Sequence, residues 1–221
     1  FLQEKYGGVL VPHGRDTDEM DPAKVSGEEV RREFGLTGPV VMFFGTPRPH
    51  KGIEDLIAAV EQLHRPAVTC VIVGANLDDP YDASLAKAGN GQVRLLPMQP
   101  FERVPAFMAA ADVVVVPQRQ SLFAEAQMPA KIYDAMAMAR PLIGTAISDI
   151  PETLANCGMV VPPGDVNALA GAIAHLLDHP DAARQLGLAA REKALQLYSW
   201  DAMQQTLEIL VERVLAKRRL A

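Results

Sequence analysis

The sequence predicts an α/β fold with a doubly wound parallel sheet of the Rossmann-like kind. Short runs of valine, isoleucine, leucine and phenylalanine alternate with longer segments whose apolar residues recur every three or four positions. The first pattern is typical of strands buried on both faces, and the second of helices that cover a sheet. The connections are short and rich in glycine and proline. Strands that alternate with helices in this way form parallel sheets.

The elements follow one another in a regular order. Residues 1–8 have the pattern of a helix end, residues 9–12 that of a short strand, and residues 13–27 that of a polar turn and loop. Six apolar runs predict the strands of the sheet, at 40–44, 68–73, 93–96, 113–116, 142–144 and 159–161. Amphipathic periodicity and capping residues predict the helices, at 28–34, 52–63, 82–88, 102–111, around 135–138, from 151, and at 166–177, 180–197 and 199–217.

Composition limits the possible classes of function. The chain has 221 residues, 49% of them hydrophobic, which suffices for a substantial core in one large domain or two small ones. A net charge of −6 argues against nucleic acid as a partner. Cys70 and Cys157 are far apart in apolar stretches, so we expect buried reduced thiols, a cytoplasmic location and no metal site.

Neither end of the chain carries a strong targeting signal. No apolar run approaches the length of a membrane span, and the chain begins at Phe1 rather than methionine, so we expect a part of a larger protein. The basic residues at 217–219 leave contact with a membrane surface open as an interpretation. Three cations in the last turn of a helix complement its dipole more often than they bind a membrane.

Residues 125–145 are the hardest part of the chain to explain as scaffold. They follow a buried strand and open a helix, and such loops at the carboxyl ends of parallel strands are where open sheets bind ligands. The loop carries Glu125, Lys131 and Asp134. Two acids beside an anion-binding helix terminus suit a neutral group rich in hydroxyls, such as a ribose. Asp134 could equally be an ordinary acid of the first helical turn, and Lys131 could pair with the acids or reach a phosphate.

A second candidate site is the loop at 45–52, between a buried strand and a helix. Gly45 permits a turn and a close approach by a ligand. Arg48 and Lys51 place two cations beside a helix amino terminus, where they oppose the dipole unless an anion binds. A diphosphate would supply that charge; a solvated basic loop is the alternative. The loop lacks the P-loop pattern.

Other residues carry weaker signals. His13 and Arg15 flank a glycine in a turn that could line a cleft, although a lone histidine is more often a loop residue. Gly74 could end a strand beside a nucleotide or simply form a turn. Three methionines of the central stretch are expected to fill the core: Met128, Met136 and Met138.

Five segments together resemble the C-terminal half of a GT-B-fold glycosyltransferase of the group 1 (family four) type, over nearly the whole chain. Residues 11–18 resemble the family's "P-N-G-V-D", residues 45–52 its "G-R-…-K-G" donor-phosphate loop, and residues 94–98 with 104–112 its base-binding segment. Residues 125–141 resemble the most specific signature, "E-G-x-P-…-E-A-M-A-x-G-x-P", and residues 198–200 resemble "F-S-W".

The resemblance implies a domain that binds a nucleotide-diphosphate sugar, without a metal or other cofactor, in an enzyme that transfers the sugar with retention. Residues 1–20 would link this donor-binding domain, residues 21–221, to an N-terminal acceptor-binding domain of the full-length protein. Glu125 and Lys51 would be the catalytic residues, Glu125 on the sugar and Lys51 on the diphosphate. The donor-binding residues implied are Gly45, Arg48, Lys51, Met98, Lys131 and Asp134. We expect the isolated chain to be inactive.

The chain departs from the family pattern at several positions. Thr46 stands at the usual arginine, so that Arg48 would have to substitute for it. The gap between Glu125 and Asp134 is one residue wider than usual, and Ala139 replaces a common glycine in what we expect to be a helix. Two other classes of function stay open, a nucleotide-sugar-binding module without catalysis and a nucleotide-sugar epimerase of the same fold.

Overall fold

The computed structural model describes residues 7, 9, 11, 13–88 and 91–219, with side chains as far as residue 216. The helix end predicted at 1–8 and the strand predicted at 9–12 therefore lie largely outside the described residues. From residue 13 onward the predicted alternation of strands and helices is confirmed.

Six strands form one parallel sheet in the order β3-β2-β1-β4-β5-β6. All five neighbouring pairs are parallel. The doubly wound fold predicted from the sequence is thereby confirmed, and the order reverses between β1 and β4. The strands are β1 (Val40–Phe44), β2 (Thr69–Ala75), β3 (Val93–Pro97), β4 (Val113–Val116), β5 (Leu142–Thr145) and β6 (Met159–Val161).

Helices lie on both faces of the sheet, and two short 3-10 helices precede the second and fourth of them, at Pro49–Lys51 and Phe101–Arg103. The α-helices of the described residues are α1 (Glu28–Glu33), α2 (Ile53–Gln62), α3 (Pro80–Lys87), α4 (Val104–Ala110), α5 (Leu122–Glu125), α6 (Ala130–Ala137), α7 (Ile150–Leu154), α8 (Val166–Asp178), α9 (Pro180–Leu197) and α10 (Trp200–Arg219).

The strands separate two hydrophobic cores because alternate side chains point to opposite faces. Val40 and Met42 of β1 belong to the core beneath α1, α4, α6, α7 and α9. Val41 and Phe43 belong to the core beneath α2, α3 and α8. Cys70 and Cys157 are buried free thiols, and Met136 and Met138 are fully buried, as predicted.

Three local expectations were wrong. Gly74 does not end its strand, because β2 continues to Ala75 past a register shift. Ala139 does not lie inside a helix: α6 ends at Ala137 and Ala139 has φ 51°, the left-handed conformation that explains why glycine would fit better there. Glu125, expected to lie in the loop before the central helix, is the last residue of α5, whose N-cap is Ser121.

Residues 13–21 are tied to the end of the domain by backbone hydrogen bonds. The amide of Arg15 donates to the carbonyl of Tyr198 (2.8 Å), and the amide of Trp200 donates to the carbonyl of Arg15 (2.9 Å). Arg191 of α9 donates to the carbonyl of Met20 (2.7 Å) and lies 3.2 Å from a carboxylate oxygen of Asp21. Residues 13–21 are thereby held against α9 and the start of α10.

Candidate functional site

The candidate site lies at the carboxyl ends of β1 and β4, where the strand order reverses. Connections from these two strands leave toward opposite faces of the sheet, which opens a crevice between them. The two loops that border the crevice contact each other. The amide of Arg119 donates to the carbonyl of His50 (2.9 Å), and the rings of His50 and Phe123 are 6.1 Å apart.

Glycines bring the backbone of the first loop close to its neighbours. Gly45 has φ 125°, and a Cβ built on it would lie 3.1 Å from the ammonium nitrogen of Lys131. Gly74 has φ 104°, and a Cβ there would lie 2.8 Å from the carbonyl carbon of Gly45. The loop after β1 therefore crosses directly over the end of β2, which explains why glycine stands at both positions.

Lys51 is the last residue of the 3-10 helix and is held from both sides. Its ammonium donates to the carbonyl of Thr46 (2.7 Å) within the same loop. Gly52 follows with φ 65°, and a Cβ on it would overlap the carbonyl oxygen of Pro117. Partial burial lowers the pKa of Lys51, and the positive charge of Arg48 lowers it further.

Arg48 points away from Lys51 toward the loop after β2. Its side chain is 48% exposed and lies 3.8 Å from a carboxylate oxygen of Asp79, while it donates to the carbonyl of Pro47 (2.8 Å). This arrangement directs Arg48 to the side of the loop, toward Asp79. That Arg48 substitutes for the arginine absent at position 46 stays a prediction.

Lys131 is the second residue of α6 and reaches back to the first loop. Its ammonium nitrogen lies 4.5 Å from the ring centroid of Phe43, in β1. Burial lowers the pKa of Lys131 to about 7; the charge of Lys51 lowers it as well, and the charge of Asp134 raises it. The side chain of Lys131 is half-buried, and its ammonium contacts the face of the Phe43 ring. Lys131 therefore connects the two loops through charge.

Asp134 lies in the second turn of α6 and is only 7% exposed. The interpretation as a first-turn acid is thus wrong, because α6 begins at Ala130. The Nε of Arg15 donates to Asp134, and the Nη1 of Arg15 lies 3.0 Å from the Nδ1 of His13. Burial raises the pKa of Asp134, and the charge of Arg15 opposes that shift.

Arg15, for which the sequence predicts only a turn that could line a cleft, is a further residue of this site. Its guanidinium also donates to the carbonyl of Ala130 (3.2 Å), so it joins residues 13–21 to the start of α6. The sequence offered one signal, the "His-Gly-Arg" turn where the family resemblance has no cation. The partner acid lies 119 residues away, and nothing local identifies it.

Glu125 is the last residue of α5 and is exposed. Its carboxylate accepts a hydrogen bond from the side-chain amide of Gln120. Four residues of loop then lead to α6, so Glu125 and Asp134 are carried by separate short helices. The helix that holds Glu125 packs against the 3-10 helix that holds Lys51.

Two acids of α2, through Arg119, hold the second loop in place. Arg119 donates to both carboxylate oxygens of Asp55 (2.7 and 2.6 Å) and lies 3.3 Å from Glu54, in the first turn of α2. These hydrogen bonds and charges raise the pKa of Arg119 above its ordinary value. The bidentate geometry fixes the loop after β4 against the helix that follows Lys51.

β2 and β3 lie next to β1 on the side of the sheet away from β4. A cavity of about 300 Å³ there is lined by residues of both strand ends, including Asn76, Leu96 and Pro97. Met98 follows Pro97 and is 65% exposed.

Among the described residues, no group of three or more potential ligand side chains could hold a metal ion, and none of the helices has the length and apolarity that crossing a bilayer requires.

The profile of the family described as "Glycosyl transferases group 1" matches residues 38–179, which include the whole sheet and both loops. The chain belongs to the group 1 glycosyltransferases. It is 31% identical, over 90% of its length, to "Alpha-maltose-1-phosphate synthase" of Mycolicibacterium smegmatis, and covers 55% of that protein. It is also 31% identical, over 86% of its length, to the "GDP-mannose-dependent alpha-(1-6)-phosphatidylinositol monomannoside mannosyltransferase" of the same organism, of which it covers 52%.

Solved structures share the fold of this group 1 glycosyltransferase chain. Sucrose-phosphate synthase from Thermosynechococcus elongatus superposes with a TM-score of 0.78 at 24% identity, over 98% of this chain and 56% of that one. Anabaena Alr3699/HepE, in complex with UDP and glucose, superposes with a TM-score of 0.78 at 22% identity, over 90% of this chain and 55% of that one. The chain thus spans about half the length of the relatives it matches.

Proposed function

We propose that this chain is the donor-binding domain of a glycosyltransferase and that it holds a nucleotide-diphosphate sugar in the crevice between β1 and β4. The acceptor would be bound by a further domain of the full-length protein. The chain covers 55% and 52% of the two relatives, which supports a separate domain for the acceptor. The names of one relative and one structural neighbour mention GDP-mannose and UDP, respectively.

The observation that carries the proposal is the meeting of three charged side chains from the 3-10 helix after β1 and from α6. The ammonium nitrogen of Lys131 lies 3.1 Å from the position of a Cβ on Gly45, in the loop that carries Lys51. The charges of Lys51 and Asp134 both shift the pKa of Lys131. A molecule that carries phosphates and sugar hydroxyls could therefore contact both lysines and the acid at once. A solvated basic loop, the alternative for residues 45–52, would not need a second lysine directed at it from α6.

The phosphates would lie between Lys51, Lys131 and the start of α6. The residue before α6 is Pro129, and no side chain caps the helix. Uncapped amides at a helix amino terminus bind anions, and two cations beside them add to the attraction. This arrangement would stabilise the charge that develops on the diphosphate as it leaves the sugar.

The acids would hold the neutral parts of the donor. Asp134 keeps one carboxylate oxygen on Arg15, which leaves the other to accept hydrogen bonds from ribose hydroxyls. Glu125 is exposed on the neighbouring helix, where it can face the sugar. The base would then extend over β2 and β3 toward Met98 and the adjoining cavity.

In the reaction, the bond between the anomeric carbon and the diphosphate oxygen breaks while the acceptor hydroxyl oxygen bonds to the same carbon. The proton of the acceptor hydroxyl passes to the departing phosphate, and the sugar is transferred with retention and without a metal. Within this chain, Lys51 would stabilise the leaving group and Glu125 would orient the sugar.

Calorimetric titration with UDP, GDP and ADP tests the proposal. We expect one of the three to bind the isolated chain, and Lys51→Ala to weaken that binding about tenfold or more, because a charge-assisted contact to phosphate contributes ~1.5–3 kcal/mol. Lys87→Ala is the matched control, since Lys87 is exposed at the end of α3. A folded chain that binds none of the three nucleotides would refute the proposal.

A binding module without catalysis is the second candidate, and the Arg15 ion pair favours it. Arg15 occupies one oxygen of the acid that would grip the ribose, and Thr46 stands where the resemblance has an arginine. Sugar transfer by the full-length protein, lost on Glu125→Gln, would exclude this candidate. Interconversion of two nucleotide sugars without an acceptor would instead indicate an epimerase.

A further inference from the structure

Lys51 and Lys131 converge on one point of the crevice from different elements. Lys51 approaches from the 3-10 helix after β1 and donates to the carbonyl of Thr46 (2.7 Å). Lys131 approaches from α6, and its ammonium nitrogen would be 3.1 Å from a Cβ on Gly45. The two lysines differ in what surrounds them: Lys51 has a carbonyl acceptor, whereas Lys131 lies over the ring of Phe43.

A protonated Lys131 is poorly compensated in the empty crevice. Two like charges close together disfavour each other, and an ammonium taken out of water without an acceptor pays a desolvation cost. The face of an aromatic ring offers a weak attraction that does not replace a hydrogen bond. An arriving diphosphate would reverse this balance by placing negative charge beside both lysines.

The groups that face Lys131 come from three elements. Asp134, on α6 itself, favours the charged form, but this carboxylate is already engaged by Arg15 of the linker segment. Lys51 and His50, on the 3-10 helix, are cationic or can become so. The charge of Lys131 in turn lowers the pKa of His50. Taken together, the charged groups around Lys131 disfavour its protonated form.

We propose that Lys131 is largely uncharged in the empty crevice above neutral pH and takes up one proton when a nucleoside diphosphate binds, so that donor binding is coupled to proton uptake. The inference rests on the proposed function, because it concerns the same site. The burial that lowers the pKa of Lys131 to about 7 agrees with it. Bound phosphate would return that pKa toward its ordinary value.

The coupling predicts how affinity and proton uptake change with pH. At pH 8, calorimetry of UDP or GDP in buffers of different ionisation enthalpy should give an uptake that approaches one proton. At pH 6 the uptake should fall toward zero, because Lys131 is already charged. Above pH 7.5 the affinity should fall by up to tenfold per pH unit, the limit for one linked proton.

Three variants separate Lys131 from other sources of the proton. Lys131→Arg keeps a permanent charge, so the nucleotide that this variant still binds should be bound without proton uptake at pH 8. Lys131→Met should lose both uptake and most of the affinity. His50→Gln should keep the uptake at pH 8, since the pKa of His50 is lowered from an ordinary value of 6.5 and this ring is neutral well below pH 8. Lys87→Arg is the surface control.

The results distinguish this inference from the function on which it rests. Nucleotide binding without proton uptake at pH 8, or with an uptake that survives in Lys131→Arg, would refute the coupling and leave the donor-binding proposal standing. Failure of every nucleotide to bind would refute both. A direct test needs no ligand: in the free chain with ¹³Cε-labelled lysine, the NMR signal missing from Lys131→Arg should titrate near neutral pH, and titration at the ordinary pKa of lysine would overturn the inference.

Discussion

At the scale of single residues, the ion pair between Arg15 and Asp134 links the stability of the domain to its site. Both side chains are about nine-tenths covered, at 11% and 9% exposure. The pair joins a segment near the start of the described chain to the helix that carries Lys131. Because Asp134 is held by one oxygen, Arg15 acts as a positioning residue for the acid that we propose binds the ribose.

Removal of Arg15 should be costly because it leaves a buried carboxylate without its partner. We expect Arg15→Met to lower the free energy of unfolding by about 3 kcal/mol, measured by urea denaturation. The double variant Arg15→Met with Asp134→Asn should regain a substantial part of that loss. Arg32→Met, at an exposed position of α1, is the control and should change little.

A structural role for Arg15 would differ from a positioning role in one measurement. Arg15→Lys should restore most of the stability but not the nucleotide affinity, since lysine cannot reproduce the directed Nε contact. An Arg15→Lys variant with full affinity, or a double variant with additive losses, would contradict the positioning role.

At the scale of elements, the site depends on the close passage of two loops. The 3-10 helix ends at Lys51, and Gly52 lies against the backbone of Pro117 at the end of β4. The bidentate pair between Arg119 and Asp55 holds the second loop from its other side. Lys51 is therefore positioned by its neighbours in the chain and by the strand across the crevice.

Gly52→Ala tests this positioning because an alanine Cβ would meet a carbonyl oxygen and require a left-handed backbone. We expect a loss of at least 2 kcal/mol in the free energy of unfolding, from about 1–2 kcal/mol of backbone strain and the forced separation of the loops. Nucleotide affinity should fall with it, since Lys51 must move.

Gly171→Ala is the matched control for that variant. Gly171 lies in α8, and a Cβ on it would meet no atom within 4 Å. Alanine there should stabilise the domain by up to about 1 kcal/mol, because it favours the helix. Equal effects of the two substitutions would show that the contact with Pro117 does not position Lys51.

At the scale of the whole molecule, the dependence of stability on pH should carry the signature of Lys131. Its pKa is about 7 in the folded chain and ordinary, 10.5, when unfolded. Between these values the unfolded state binds more protons, so this residue makes the domain more stable as the pH rises from 7 to 10.5. The contribution amounts to at most about 1.4 kcal/mol per pH unit.

Lys131→Met should therefore raise the melting temperature at pH 7 and flatten its rise toward pH 10, as followed by circular dichroism. The substitution removes a poorly solvated charge beside Lys51 and leaves an apolar side chain over Phe43. Lys87→Met should leave the profile unchanged. If the melting temperatures of Lys131→Met and the parent chain changed in parallel with pH, the lowered pKa of Lys131 would make no contribution to the stability of the fold.

The sequence predicts the sheet well because its signal is local. Each apolar run forms a strand within about two residues of its predicted ends, and the stretches at 45–52 and 125–134 both follow strands, as predicted. The order β3-β2-β1-β4-β5-β6 brings those loops together, and no residue in either loop specifies that order.

The details of the site could not be predicted because they depend on distant pairs. The contact of Lys131 with Phe43 and the ion pair of Asp134 with Arg15 join residues that are far apart in sequence. Ala139 differs from its expectation for another reason: helix propensity favours alanine, whereas the chain makes a left-handed turn there and packs against Gly187.

The ammonium of Lys131, half-buried above an aromatic ring, also has a consequence for chemical reactivity. An uncharged primary amine is a nucleophile, whereas a protonated one is not. An aldehyde that bears a phosphate group would be drawn to the crevice and would condense with the nitrogen of Lys131 to form an imine and water. Hydride from added borohydride would reduce that imine to a secondary amine and leave a permanent covalent label at the point where the two loops meet.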